Sequence, residues 1–140
     1  MTSTTLTLTP GLDTLRLFLH VTAATIWVGG QFVMLGLVPT ARQIGNDAPK
    51  KLANAFAKLR WPAFAVLVLT GFWNLAALSS DTKSTSWNMV MGFKFLFVIL
   101  AGVGAWLHGR AKTKAATGAW GSIAGTASIL ALLGGVLLAG

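Results

Sequence analysis

Four ionisable side chains stand in or at the edges of long apolar stretches, and these residues are the ones most able to do chemistry. His20 lies in the first stretch, Arg60 at the start of the second, and Lys94 well inside the third. His108 follows near the end of the third stretch, and Asn74 adds a polar amide to the second. Because lipid cannot solvate such groups, each is a candidate for a binding site.

Helical spacing sorts these residues into two levels of an antiparallel bundle. His20, Asn74 and Lys94 fall near the end at which the chain begins, whereas Arg60 and His108 fall near the opposite end. A rise of about 1.5 Å per residue separates the two histidines in depth by roughly 20–25 Å. We therefore expect that His20 and His108 do not ligate one haem iron within one chain.

Copper is one ligand that fits the residue types of the first level. Cu(I) favours thioether and imidazole ligands, and we expect Met89 and Met91 at the same depth as His20. Lys94 opposes this hypothesis, because a cation beside a cation is unfavourable unless the amine is deprotonated or paired. The chain has no cysteine, which excludes thiolate metal sites.

A haem or another porphyrin is the second ligand that these residue types allow. His20 would act as an axial ligand, and Lys94 or Arg60 would pair with the propionates or hold an anionic substrate. Asn74 and His108 complete the set of candidate cofactor-binding residues. In a third hypothesis the polar residues serve packing alone, in a non-catalytic accessory subunit of a membrane complex. The sequence leaves these alternatives, and enzymatic turnover, open.

Transmembrane helices are the elements that must position these residues. Of the 140 residues, 54% are hydrophobic and 10% are charged, against about 25% charged in an ordinary soluble domain. Four apolar segments each approach the roughly 20 residues that a bilayer span requires, and the first is expected to end at Pro39. We predict a single transmembrane domain over residues 1–140. It is an all-α, antiparallel four-helix bundle with helices at about 12–40, 50–78, 87–112 and 118–139.

The distribution of basic residues predicts the topology in the membrane. Five of them lie between the first and second spans and three between the third and fourth: Arg42, Lys50, Lys51, Lys58 and Arg60, then Arg110, Lys112 and Lys114. By the positive-inside rule both loops are cytoplasmic and both termini lie outside. We expect a multi-pass protein of the bacterial cytoplasmic (inner) membrane. The net charge of +8 then reflects the orientation of the helices in the membrane. We expect the protein to have lipid, and not nucleic acid, as its partner.

Small and aromatic residues indicate how the helices pack and where they meet the interface. Gly121 and Gly125 form a GxxxG pair, which permits close approach of helices within the bundle, in a homodimer or in a larger membrane complex. Four tryptophans lie near the predicted span ends, where they would anchor the helices at the interface: Trp61, Trp87, Trp106 and Trp120.

Motifs in three of the spans resemble the CopD (copper resistance D) family. The stretch LHVTAATIWVGG that begins at Leu19 resembles the first helix of that family, with its His followed by Trp-x-Gly-Gly. The stretch WPAFAVLVLTGFWN from Trp61 resembles the second helix, and the segment from Lys94 to Arg110 resembles the third. The resemblance covers roughly residues 15–112. It implies copper handling or transport in the inner membrane, although the chain lacks a His- or Met-rich segment to collect copper.

The same His, Trp-x-Gly and Lys pattern is also similar to that of HemJ, the four-helix protoporphyrinogen oxidase associated with haem b. The first-helix His and third-helix Lys are functional positions there, and they correspond to His20 and Lys94, with Arg60 as a further candidate. This second resemblance implies a haem- or porphyrin-binding membrane oxidoreductase. It is looser over the second helix and at His108, so copper handling is the first expectation.

Overall fold

Four long helices make up the chain in a computed structural model that describes residues 8–79, 81 and 83–140. Each is long and apolar enough to cross a membrane: α1 (Leu12–Ile44), α2 (Ala48–Ala76), α3 (Thr85–Arg110) and α4 (Lys114–Ala139). The residues that the structure describes include no β-strand. The predicted all-α, four-helix fold is therefore confirmed. The first seven residues of the predicted domain lie outside the described residues.

Local sequence explains where the helices begin. The hydroxyl groups of Ser84 and Thr113 accept hydrogen bonds from the backbone N–H groups of Trp87 and Ala116, each at 3.1 Å. These are N-caps, which satisfy backbone donors that the first turn of a helix leaves free. At the start of α2, Pro49 occupies the first turn, where its missing N–H costs nothing.

The first helix differs from its prediction in two ways. It continues through Pro39 to Ile44, so the expected end at Pro39 is wrong. A transmembrane helix tolerates an internal proline, because neighbouring groups can satisfy the backbone carbonyl that it frees. The second difference is a π-helical turn over Thr25–Gly29, in which Trp27 and Val28 are both buried. Such a turn holds an extra residue and changes the face that the following residues present.

Each helix runs antiparallel to the next, and the four form a closed bundle. In α3 and α4, which pack along most of their length, a Cβ at Gly104 would lie 3.0 Å from the backbone nitrogen of Ala124. A Cβ at Gly102 would lie 2.7 Å from the ring of Phe64, so a glycine also brings α2 against α3. The start of α1 and the end of α4 therefore lie at one end of the bundle, which we call the terminal end. The α1–α2 and α3–α4 loops lie at the opposite end, which we call the loop end.

A central core midway along the bundle is formed by buried side chains of α1, α3 and α4, and the half-buried Phe64 of α2 packs against it. The buried members are Trp27, Val28, Ala101, Ala105, Ala124 and Ala127, with the buried Ser128 beside them. Trp61 also packs here, with its ring centroid 5.7 Å from that of Trp27. Trp61 lies well inside α2, which begins at Ala48, and its role as an interfacial anchor stays a prediction.

The outer surface of the bundle is apolar along the length of all four helices, with exposed residues such as Phe32, Leu69, Phe93 and Leu137. Exposed hydroxyl groups on this surface bond to their own helix. Ser122, for example, donates to the carbonyl of Gly118 at 2.8 Å. A surface of this kind suits lipid as its solvent, and the chain is a multi-pass membrane protein.

Candidate functional site

His20 is held by α2 in a defined protonation state. Its Nδ1 lies 2.9 Å from the Oγ1 of the buried Thr70. The Thr70 hydroxyl has one proton, and this proton is donated to the carbonyl of Val66 at 2.7 Å. The hydroxyl must therefore accept from His20, so that Nδ1 carries the imidazole proton. Nε2 then has a free lone pair, the state in which a histidine binds a metal or accepts a proton.

Lys94 approaches the same level from the opposite side of the bundle. Its side chain lies against two glycines of α4: a Cβ at Gly134 would be 3.3 Å from its Cβ, and a Cβ at Gly135 would be 3.4 Å from its Nζ. Lys94 borders a groove of about 330 Å³ between α3 and α4 whose other lining residues are apolar. His20, against Thr70, and Lys94, against Gly134, both lie towards the terminal end of the bundle. Among the described residues no hydrogen bond joins the two side chains.

Asn74 belongs to the same level and extends it towards the terminal end. It lies one turn beyond Thr70 on α2, and its Oδ1 is buried without a hydrogen-bond partner among the described residues. Arg16 lies one turn before His20 on α1 and is 9% exposed. We call Arg16, His20, Thr70, Asn74 and Lys94 the terminal layer.

Arg60 lies away from this layer, towards the loop end. Its Nη2 donates to the backbone carbonyl of Ala105 at 3.4 Å, and its guanidinium lies over the rings of Trp61 and Phe56, 5.3 and 5.9 Å from their centroids. Such contacts stabilise a desolvated guanidinium. Arg60 thus links α2 to α3, and the structure does not bring it to His20 or Lys94.

His108 makes a contact that joins α3 to α4 at the loop end. Its Nδ1 donates to the carbonyl of Thr117 at 2.7 Å. A Cβ at Gly121 would lie 2.9 Å from that nitrogen, so the ring occupies the space that the glycine leaves. This half of the GxxxG pair therefore packs inside the bundle. Gly125, the other half, faces Gln31 of α1 with a looser separation of 3.9 Å.

The two candidate copper ligands of α3 differ in exposure. Met89 is 59% exposed on the outer surface, whereas Met91 is half-buried. Within the part of the chain that the structure describes, no three His, Cys, Asp or Glu side chains form a group that could hold a metal ion. His20 is the one imidazole of the terminal layer, so a metal there would need ligands from outside these residue types.

Three participants in these sites are not among the predicted site residues. Arg16 and Thr70 lie four residues from His20 and Asn74, and this spacing brings two side chains to one helix face. Ser128 is the third. It accepts hydrogen bonds from Trp27 Nε1 at 3.0 Å and from Gln31 Nε2 at 3.1 Å.

Comparison with protein families, with curated proteins and with solved structures finds no match to this chain. The resemblance to CopD and to HemJ therefore stays a prediction, and the functional argument depends on the terminal layer itself.

Proposed function

We propose that this membrane protein binds a haem-type ligand in the terminal layer, through His20 and Lys94. The observation that carries the proposal is the protonation state of His20. In the neutral imidazole, Nδ1–H is donated to Thr70, which leaves the Nε2 lone pair free, and Lys94 lies towards the same end of the bundle. An imidazole and a cation at one end of the bundle suit a ligand that has both a metal and carboxylates.

The residues fit haem better than they fit a lone copper ion. Bound at His20 Nε2, haem would supply redox chemistry at its iron, while Lys94 would pair with a propionate and Asn74 would supply its amide. Copper would gain nothing from the lysine charge, and the exposed thioether of Met89 is the less suitable of the two methionine ligands. An oxidoreductase of the HemJ kind is the activity that follows from this proposal.

Copper handling of the CopD kind is the second candidate. It is favoured by the half-buried position of Met91, one turn before Lys94, which would place a thioether near the level of His20. Soft thioether and imidazole ligands together suit Cu(I). The third candidate is an accessory subunit whose polar layer serves packing alone.

A visible absorption spectrum of the chain purified in mild detergent tests the proposal. We expect a Soret band that His20→Ala abolishes and His108→Ala preserves, because His108 already binds the Thr117 carbonyl. Metal analysis of the same samples covers the second candidate. A colourless protein with stoichiometric copper that His20→Ala removes would overturn the haem proposal in favour of copper, and a protein with neither would favour the accessory role.

Topology in the membrane is a further part of this proposal: both termini outside and both basic loops in the cytoplasm of a bacterial inner membrane. Because the chain has no cysteine, single cysteines report cleanly. We expect Gly45→Cys and Thr117→Cys to react only with reagents that reach the cytoplasm, and Ser84→Cys to label from outside. The reverse pattern would contradict the positive-inside argument.

A further inference from the structure

Arg16 is a cation that the proposed function does not use, and its charge is largely buried. Its Nη2 lies 3.2 Å from Asp13 Oδ1, but the Asp13 side chain is 83% exposed. Within residues 8–79, 81 and 83–140, its Nε and Nη1 are buried and have no hydrogen-bond partner. These two nitrogens carry three N–H bonds. Among the described residues no acceptor lies within hydrogen-bond distance of these two nitrogens, although a desolvated guanidinium needs such partners.

The register of α1 and α2 places Asn74 opposite Arg16. His20 and Thr70 meet at 2.9 Å, and in antiparallel helices the residue one turn before His20 then faces the residue one turn after Thr70. Arg16 and Asn74 are those residues. The Asn74 Oδ1 is also buried and unpartnered in the described chain. Rotation of the side-chain amide would present its NH₂ group to the same point.

We propose that Arg16 and Asn74 form an oxyanion site at the terminal end of the bundle, which takes the phosphate or carboxylate group of a ligand. The guanidinium N–H groups and the amide donate to its oxygens, and charge-assisted bonds of this type are the strong ones. Arg16 lies one turn inside the start of α1, so a lipid phosphate at the membrane surface and a free oxyanion in solution can both reach it. The site uses Arg16, which the haem proposal does not use, and shares only Asn74 with that proposal.

Charge balance at the site predicts opposite effects for its two neighbours. Asp13 competes for the guanidinium, so Asp13→Asn should strengthen binding of an oxyanion. Asn74→Asp would supply an internal carboxylate facing Arg16, so this variant should raise the Tm without any ligand and lose the response to added oxyanions. If Arg16 were only structural, Asp13→Asn would not strengthen the binding of an oxyanion, and Asn74→Asp would not remove a response to added oxyanions.

Thermal unfolding of the full chain in a neutral detergent is the test, with short-chain phosphatidylglycerol or sodium phosphate added at constant ionic strength. We expect a rise in Tm of several degrees for the unmodified chain, a larger rise for Asp13→Asn, and none for Arg16→Leu. Arg42→Leu, at an exposed arginine near the loop end, is the matched control and should respond as the unmodified chain does. Asn74→Asp carries the test if Arg16→Leu does not fold.

The two probes distinguish the source of the oxyanion. A response to phosphatidylglycerol alone identifies a lipid headgroup, and a response to inorganic phosphate as well identifies a site open to soluble anions. Either result supports the proposal if Asn74→Asp removes it. An equal response in Arg16→Leu, an unchanged response in Asn74→Asp, or no shift in the unmodified chain with either probe would overturn it.

Discussion

The central core and the terminal layer both bury polar side chains, but they treat them differently. In the core, Ser128 accepts from Trp27 Nε1 and from Gln31 Nε2 and donates to the carbonyl of Ala124 at 2.7 Å. Its hydroxyl therefore uses its one proton and both lone pairs. In the terminal layer, atoms of Arg16 and Asn74 are buried without partners among the described residues. Outside the layer, the Nε of Arg60 is the one further side-chain atom of this kind in the described chain.

This difference separates packing from binding. A polar network in which every hydrogen bond is made orders the helices and has no donor or acceptor left for a ligand. A buried donor or acceptor without a partner lowers stability unless a ligand satisfies it. We therefore interpret the core as the structural centre of the bundle and the terminal layer as its binding region. Substitutions in the core should change stability, and substitutions in the layer should change ligand binding.

The largest expected effect is that of Trp27→Ala in the core. The indole is 2% exposed, packs 4.4 Å from the Phe64 ring centroid, and bonds to Ser128. Removing it leaves a cavity and takes away one of the two hydrogen bonds that Ser128 accepts, so we expect the free energy of unfolding in detergent to fall by about 3 kcal/mol.

Two variants refine this result. Trp27→Phe keeps most of the ring and removes the hydrogen bond, so it should cost about 1 kcal/mol, as interhelical bonds in membranes do. Trp106→Ala, at a tryptophan that is 47% exposed, should cost less than Trp27→Ala. If Trp27→Ala were as stable as Trp106→Ala, the core would not be the structural centre.

An intermediate effect is expected where α4 meets His108. In Gly121→Leu the new side chain would occupy the position of the His108 ring, which lies 2.9 Å from where a Cβ would begin. Overpacking of this kind costs about 2 kcal/mol, which denaturant titration in detergent would detect. Gly118→Leu is the control, because nothing lies within 4 Å of its Cβ position. Equal losses in both variants would show that Gly121 has no special packing role.

Much of the fold could be predicted from the sequence, because lipid imposes one strong rule on apolar segments. Four spans and their antiparallel order follow from hydropathy and loop length. The similar depth of His20 and Lys94 follows from helical rise. The pairing of side chains across helices does not follow from the sequence. The Thr70 bond to His20 and the position of Arg16 opposite Asn74 depend on helix rotation, which the sequence does not specify.

The continuation of α1 shows the same limit on a smaller scale. A proline usually ends a helix in water. In a membrane bundle the helix can continue through Pro39, because neighbouring groups can satisfy the backbone carbonyl that the proline frees. The π-turn at Thr25–Gly29, in which Trp27 is buried, likewise leaves no mark in the sequence pattern. The sequence places Trp61 near a span end, whereas its packing against the Trp27 ring depends on helix rotation.

The smallest expected effect on stability is that of Lys94→Met. Methionine has an unbranched stem that fits the space beside Gly134 and Gly135, where the lysine stem now lies. Replacement removes a partly desolvated charge, and such replacements are often neutral or stabilising. We expect the free energy of unfolding to change by less than about 1 kcal/mol or to rise. Binding of a carboxylate-bearing ligand should weaken, because the cation that pairs with it is gone.

Measuring both the stability and the ligand binding of Lys94→Met tests the comparison between the central core and the terminal layer. Lys112→Met, which removes a cation in the α3–α4 loop, is the control and should leave both quantities unchanged. If Lys94→Met instead unfolds the protein, the lysine is a structural group like those of the core, and the terminal layer is not a binding region. If stability holds and binding weakens, the unsatisfied layer and the satisfied core have the separate roles that their hydrogen bonds indicate.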